Sequence, residues 1–244
     1  MLHRFVKLLS ILRSRPYRTA LLRHNVAAGV EHERVLTLLD CRSVIDVGAN
    51  RGQFSLVARR CFPEARIVAF EPLSRPAERF RRVLAGDPRV TLHQCAVGPQ
   101  KAVASMHVSC KDDSSSMLPI TSRQRSIFPG TGESGTTMVH VGRLVDFVHA
   151  VDLRAPALLK LDVQGYELEA LRGCEDLLDS FSYVYAEGSF VELYRGQVLA
   201  DDLIAWLRRR EFRLSGVYGE VFDGQGRAVQ ADMLFRRVGL GTEA

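Results

Sequence analysis

Residues 44–53, with the sequence VIDVGANRGQ, restrict the possible folds more than any other part of this 244-residue chain. Three of the first four residues are β-branched, which is typical of a strand covered on both faces of a parallel sheet. Gly48 and Gly52 then bracket a short loop, where glycine permits a positive φ and lets a ligand approach the backbone. A helix after the loop would direct its free N–H groups and the positive end of its dipole at that ligand. The stretch therefore predicts a strand, a loop and a helix that bind an anionic group.

A second signal follows at the distance expected of a strand–helix–strand unit. Residues 66–70 (RIVAF) predict the next strand, and Glu71 stands at its end. Because two such strands lie parallel and side by side, Glu71 is expected beside Gly48 at the carboxyl edge of the sheet. A carboxylate in that position accepts hydrogen bonds from both ribose hydroxyls. Glu71 alone also fits a surface residue that ends a strand, but the two signals together predict a site for an adenosine cofactor.

The residues between the glycines narrow the choice of cofactor. Asn50 stands where the dinucleotide fingerprint needs its middle glycine, so a pyrophosphate fits poorly. The Asn50 amide is expected to bond a cofactor carboxylate or to hold the loop. Asp46, at the end of the strand, either braces loop amides or touches the ligand. The pattern Asp46-x-Gly48-x-x-x-Gly52 resembles the first motif of class I S-adenosylmethionine (SAM) methyltransferases.

Downstream residues make this resemblance more specific. Residues 158–171 read LLKLDVQGYELEAL, while QCAVG and a serine run stand at residues 94–98 and 114–116. Together with VIDVGANRGQFS, they resemble the FkbM family of SAM-dependent O-methyltransferases over about residues 44–212. One departure is visible, because the family usually has Thr-Leu-Asp-Asp where residues 143–146 read Arg-Leu-Val-Asp.

The resemblance implies an α/β, Rossmann-like class I methyltransferase fold. Its sheet has seven strands, is mostly parallel with an antiparallel last strand, and carries helices on both faces. SAM is the implied cofactor. Ala96 is included among its contacts because the end of the third strand, expected over residues 90–97, often holds the adenine. The expected cofactor-binding residues are Asp46, Gly48, Asn50, Gly52, Glu71, Ala96 and Ser116.

Two acidic residues are the candidates for catalysis. Asp162 and Glu187 end neighbouring predicted strands, at the edge where the methyl group should project. Asp162 is predicted to be the base or a metal-linked acid, and Glu187 to orient the acceptor or share its proton. The alternatives are that Asp162 caps the turn at Gly165 and that Glu187 is solvated. A divalent metal is compatible with this scheme, but no metal ligand set is identified. Tyr166 and Tyr194 are expected either to stack on a sugar or to pack.

The N-terminal region differs in composition from the rest. We expect a basic, amphipathic helical segment at residues 1–40, followed by the methyltransferase domain at residues 41–244. Residues 1–24 contain six basic and no acidic residues, interleaved with apolar ones. Such a helix either lies on anionic lipid or covers one side of the sheet, and both interpretations stay open. No small-residue cleavage site follows it, so a signal peptide is not expected.

Bulk properties agree with one soluble domain. Hydrophobic residues make up 46% and charged residues 25% of the chain, and no apolar run has the length of a membrane span. Five cysteines without a C-x-x-C pair favour reduced thiols, hence a cytoplasmic protein, peripheral at the inner face of the membrane if residues 1–24 bind lipid. Residues 111–137 lack periodicity and are predicted to be a long loop, either a lid over the acceptor pocket or a mobile surface loop.

These observations predict SAM-dependent methylation of a hydroxyl group. The resemblance implies a sugar as the acceptor, in a glycolipid or another secondary metabolite, and the lipid part depends on the N-terminal segment. One alternative is an RNA methyltransferase, favoured by the net charge of +5. The chain has no basic–aromatic stripe or added RNA-binding module, so no nucleic-acid partner is expected. A non-catalytic lipid- or small-molecule-binding module is the other alternative.

Overall fold

A seven-stranded sheet runs through the computed structural model, which describes residues 2–239. The sheet order is β3-β2-β1-β7-β8-β10-β9, and β10 is antiparallel to both of its neighbours. The remaining pairs are parallel, so the predicted fold class is confirmed. In chain order the strands are β1 (Ser43–Val47), β2 (Arg66–Phe70), β3 (Val90–His93), β4 (Ala96–Val97), β5 (Ala102–Ser109), β6 (Glu133–Gly142), β7 (Ala157–Leu161), β8 (Tyr183–Ser189), β9 (Phe212–Phe222) and β10 (Ala228–Arg237).

Helices cover both faces of this sheet. Alternate strand residues point to opposite faces, so Val44 and Leu158 pack with the N-terminal helices and α4, whereas Ile45 and Leu159 pack with α7 and α8. The helices are α1 (Leu2–Arg13), α2 (Arg15–His24), α3 (Glu33–Leu36), α4 (Gln53–Cys61), α5 (Ser74–Val83), α6 (Ser122–Ile127), α7 (Glu167–Gly173) and α8 (Ala200–Arg208).

A second, three-stranded sheet of order β4-β6-β5 was not predicted. The strand expected over residues 90–97 is divided, because β3 joins the main sheet and β4 pairs with β6 instead. The loop expected over residues 111–137 contains α6 and the first half of β6. That half, from Glu133, is polar and exposed, so it lacks the alternation that marks a half-buried strand. Its backbone pairs antiparallel with β5.

The N-terminal helices pack on the sheet. Ile11 and Tyr17 are 2% and 0% exposed and share one hydrophobic cluster with Val44 and Phe54. This matches the interpretation that the segment covers one side of the sheet. Its outer surface still carries exposed leucines, which are Leu8, Leu9, Leu12 and Leu22. Across residues 2–239, no helix has the length and apolar character needed to cross a membrane.

Candidate active site

A cavity of about 450 Å³ opens at the carboxyl ends of β1, β2 and β7. Its walls come from the glycine loop after β1, from the residues after β2, and from residues 160–166. Two further walls come from the N-terminal segment and from the connection after β5. Arg51 of the glycine loop is ion-paired with Asp112 of that connection, which fixes the connection over the cavity.

The glycine loop has the predicted conformation. Gly48 and Gly52 have φ of +80° and +89°. A Cβ on Gly48 would lie 1.8 Å from the carbonyl oxygen of Asp162, so only glycine allows the loop to pack on the end of β7. The N–H groups of Gly48 and Ala49 donate to the carbonyl of Phe70, at 3.0 and 2.9 Å. The loop is therefore tied to β2.

Asp46 neither braces these loop amides nor lines the cavity, so the structure gives it neither of its two predicted roles. Its side chain is fully buried and accepts a 2.7 Å hydrogen bond from the Ser55 hydroxyl. The Nζ of Lys160 lies 3.1 Å from the other carboxylate oxygen. Burial would lower the pKa of Lys160, but Asp46 and Asp162 outweigh burial and raise it. Lys160 therefore stays charged. Asp46 influences the cavity only by holding and charging Lys160, which lines it.

Glu71 and Asn50 lie together at the end of β2. The Glu71 carboxylate is buried and accepts hydrogen bonds from the backbone N–H groups of Asn50 and Leu73, at 2.9 and 2.8 Å. Burial raises the pKa of Glu71 to about 7, although both N–H groups oppose the shift. The side-chain oxygen of Asn50 is buried without a hydrogen-bond partner among the described residues. A buried carboxylate and an unpaired buried oxygen in one cavity suit a ligand rich in donors.

Asp162 lies in the cavity, and its side chain is 40% exposed. Its Oδ1 accepts a 2.7 Å hydrogen bond from the Gln164 side-chain amide, and its Oδ2 lies 3.7 Å from Nζ of Lys160. These two contacts orient the carboxylate. The predicted cap at Gly165 is made by Glu167 instead, which accepts from the N–H groups of Gly165 and Val163 at 3.1 Å.

Glu187 lies behind Asp162 and is not among the residues that line the cavity. Its carboxylate accepts from the side-chain amides of Gln164 and Gln230, at 3.1 and 2.6 Å. It is therefore bonded within the protein, not simply solvated. Burial and the neighbouring carboxyl groups of Asp162 and Glu167 raise the pKa of Glu187 well above its usual range. Glu187 can therefore influence an acceptor only indirectly, through its hydrogen bond with Gln164.

The remaining predicted residues divide between the cavity and its surroundings. Ala96 and Tyr166 line the cavity. Ser116 does not line the cavity. Its buried hydroxyl donates to the Gln164 carbonyl at 2.6 Å, so it has no proton left to donate to a cofactor. Ser115 lines the wall in its place. Tyr194 is 1% exposed and hydrogen-bonded inside the protein, so it has the packing role.

Lys160, Gln164 and His32 belong to the site and were not predicted. Lys160 carried a visible signal, since it is the one charged residue in the apolar strand ALLKL. His32 also lines the cavity, but no local sequence pattern indicated its role, because its partners are distant in the sequence. Among residues 2–239, no cluster of three or more His, Cys, Asp or Glu side chains has an arrangement that could hold a metal ion.

Comparison with known proteins agrees with this architecture. The Methyltransferase FkbM domain profile matches residues 46–214, more than half of the chain. The chain belongs to the FkbM methyltransferase family. FkbM proteins are SAM-dependent methyltransferases, which suits the glycine loop and the buried Glu71 at the end of β2.

Two relatives named as methyltransferases are similar to this chain. 2-O-methyltransferase NoeI of Sinorhizobium fredii is 27% identical over 175 residues, which cover 68% of this chain and 72% of NoeI. Methyltransferase 1 of Beauveria bassiana is 30% identical over 145 residues, which cover 54% of this chain and 58% of that protein. The matched part is thus little more than half the length of the Beauveria relative. Among solved structures, mitomycin 7-O-methyltransferase MmcR matches with a TM-score of 0.44 and 14% identity, over 86% of this chain and 53% of MmcR.

Proposed function

We propose that this protein transfers the methyl group of SAM to a hydroxyl group of a sugar-containing acceptor. The proposal depends on one observation, which is that a single cavity has a buried carboxylate at one end and a partly exposed carboxylate at the other. Glu71 is buried at the end of β2, whereas Asp162 is partly exposed at the end of β7. The first suits a ribose, and the second suits a polar group that enters from solvent.

Cofactor binding is assigned to the β2 side of the cavity. Glu71 would accept hydrogen bonds from the ribose hydroxyls, and the unpaired oxygen of Asn50 would accept one from a cofactor donor. The adenine would lie along the backbone at Ala96. When bound, SAM supplies a methyl group activated by its positive sulfur.

Acceptor binding is assigned to the β7 side. The Asp162 carboxylate, held by Gln164 and Lys160, would accept a hydrogen bond from the acceptor hydroxyl and align it for attack. Glu187 would hold Gln164 in place from behind. Asp162→Asn keeps the shape and removes the charge that aligns the hydroxyl, so turnover should fall by about 10²-fold. SAM affinity should stay nearly unchanged, since SAM lies on the opposite side.

The sugar is a family-level proposal, supported by the name of NoeI as a 2-O-methyltransferase. The lipid part of the acceptor is supported by the outer surface of α1 and α2. That surface combines the exposed leucines with arginines and contains no acidic residue. Because Lys7 and Leu21 of the same helices line the cavity, contact with an anionic bilayer would bring a membrane-bound acceptor close to the site.

Binding to vesicles tests the lipid part. Truncation is unsuitable because Ile11 and Tyr17 belong to the core. The double substitution of Leu8 and Leu12 by Glu should abolish binding to phosphatidylglycerol vesicles and leave SAM affinity unchanged. Val103→Glu changes a more exposed apolar residue on β5 and should bind like the parent. Equal vesicle binding by the double variant would remove the membrane from the proposal.

Mass spectrometry of a strain that lacks the gene tests the acceptor. The glycolipid fraction should contain a species lighter by one methyl group, and the parent gene should restore it where the Asp162→Asn gene does not. An unchanged glycolipid fraction together with an undermethylated RNA would favour the RNA alternative. If EDTA abolishes turnover by the purified protein and Mg²⁺ restores it, a metal takes part in binding the acceptor.

A further inference from the structure

His32 belongs to a hydrogen-bonded chain that joins three distant parts of the sequence. It ends the 3₁₀ turn Val30–His32, and its Nδ1 lies 3.1 Å from the Tyr185 hydroxyl of β8. That hydroxyl donates to Oδ2 of Asp232, on β10, at 3.0 Å. The same Oδ2 lies 3.5 Å from Nδ1 of His32.

The chain of hydrogen bonds fixes which ring nitrogen carries the proton. The hydroxyl of Tyr185 has one proton and gives it to Asp232, so its oxygen faces Nδ1 as an acceptor. Both groups near Nδ1 therefore accept hydrogen bonds, and Nδ1 must carry the proton. The neutral imidazole then has its lone pair on Nε2.

Packing holds the ring at the wall of the cavity. Phe54 and Tyr185 contact it edge-on, with centroids 5.4 and 5.7 Å away. Gly29 approaches so closely that a Cβ there would lie 3.0 Å from the ring Cδ2. His32, Gly29 and Phe54 all line the cavity that Asp162 also lines. The imidazole is thus held through Nδ1 by Tyr185 and Asp232, and it forms part of the cavity wall.

We propose that Nε2 of His32 accepts the proton of the acceptor hydroxyl, an inference that rests on the proposed function. The acceptor oxygen loses its proton to Nε2 and forms a bond to the methyl carbon, as the bond from that carbon to sulfur breaks and its electron pair stays on sulfur. The imidazolium is stabilised by Asp232 and releases its proton to solvent. Asp232 and Tyr185 are positioning residues, which hold the ring and its tautomer.

The roles of His32 and Asp162 differ in this scheme. Asp162 contacts the ammonium group of Lys160 through Oδ2 and the side-chain amide of Gln164 through Oδ1, so both of its oxygens hold the carboxylate in one orientation. A histidine is the side chain best suited to exchange a proton near neutral pH. Asp162 therefore orients the hydroxyl and His32 removes its proton. The charged groups near His32 are Asp232 of β10 and Glu31 of its own turn, and the Phe54 ring that contacts His32 also contacts the ammonium group of Lys160.

Turnover of the acceptor fraction that accumulates in the deletion strain provides the first test. His32→Gln should lower kcat by about 10²–10⁴ and bind SAM like the parent by calorimetry. Tyr185→Phe and Asp232→Asn should cause smaller losses and move the acid limb of the kcat–pH profile. His140→Gln, on an exposed histidine outside the cavity, should change neither kcat nor the profile.

NMR of ¹⁵N-histidine-labelled protein provides a readout that needs no acceptor. The His32 signal, assigned as the one missing from His32→Gln, should show a protonated Nδ1 and an unprotonated Nε2. A proton on Nε2 in the parent would overturn the proposal, as would parent-like kcat across the pH range in a folded His32→Gln protein. If the parent itself methylates no fraction of the deletion strain, the proposed function fails instead.

Discussion

The ammonium group of Lys160 lies 3.1 Å from the Asp46 carboxylate, where neither side chain is more than 5% exposed. The pair joins β1 to β7 directly below the glycine loop, and Lys160 also donates to the carbonyl of Gly48 at 3.2 Å. One buried ion pair therefore supports both the loop and Asp162.

Removing one member of this pair should be costly. Lys160→Met leaves the Asp46 carboxylate buried without its partner, so we expect a loss of about 3–5 kcal/mol in the free energy of unfolding. Urea denaturation measures it. Arg89→Met is the matched control, because its ion pair with Glu64 is exposed and should contribute about 0–1 kcal/mol. Equal losses for the two variants would show that the buried pair is not structural.

Gly48 and Gly86 offer a second matched comparison, since both have φ of +80°. Gly86→Ala meets no atom within 4 Å, so it should cost about 1–2 kcal/mol from the left-handed backbone alone. Gly48→Ala adds a clash with the Asp162 carbonyl, and its cost should be at least about twice as large. Thermal and urea unfolding check this. Similar costs would mean that the loop moves away from β7 without penalty.

Glu71→Ala should weaken SAM binding by about 1–3 kcal/mol, the scale of lost hydrogen bonds to a charged group. Calorimetric titration of the folded variant measures the change. Glu64→Ala, at an exposed site before β2, should bind SAM like the parent. If Glu71→Ala also binds like the parent, Glu71 is not part of the ribose site.

The pH dependence of SAM affinity provides a further check on Glu71. Its pKa of about 7 means that the carboxyl is largely protonated at pH 6 and ionised at pH 8. Because the ionised form accepts hydrogen bonds from the ribose, affinity should rise with pH through this window. Glu71→Gln should flatten the rise. An affinity that is level in the parent from pH 6 to 8 would contradict the assigned contact.

Glu167 should make the stability of the folded protein fall as pH rises. Burial raises its pKa from 4.5 to about 7, so the folded protein holds a proton between these values that the unfolded chain releases. Stability should therefore fall as pH rises from about 4.5 to 7, by about 3 kcal/mol for this group. Glu167→Gln should remove that part of the slope, whereas Glu169→Gln on the same helix should keep it. Identical slopes for both variants would refute the assignment.

Local patterns predicted the cofactor side of the site well. The strand over Arg66–Phe70 has the predicted bounds, and the helix predicted after the glycine loop is observed at Gln53–Cys61, because the signals for both elements are local in the sequence. Glu71 followed from its place at the end of that strand.

The acceptor side depended on contacts that no local pattern contains. His32 and Tyr185 are 153 residues apart in the sequence, and they are in contact only because the N-terminal segment packs on the sheet. The same amphipathic pattern in that segment fitted a lipid surface equally well. Ser116 matched a family motif, yet its hydroxyl is used to hold Gln164.

Transfer of a labelled methyl group in vitro tests the proposed activity most directly. Purified protein is incubated with trideuteromethyl-SAM and the glycolipid fraction of the deletion strain, and products are analysed by fragmentation mass spectrometry. The predicted result is one labelled methyl group on a sugar oxygen, lost with Glu71→Ala at low SAM concentration and strongly reduced with Asp162→Asn. Absence of label from every oxygen of this fraction, with the parent protein folded and SAM bound, would contradict it.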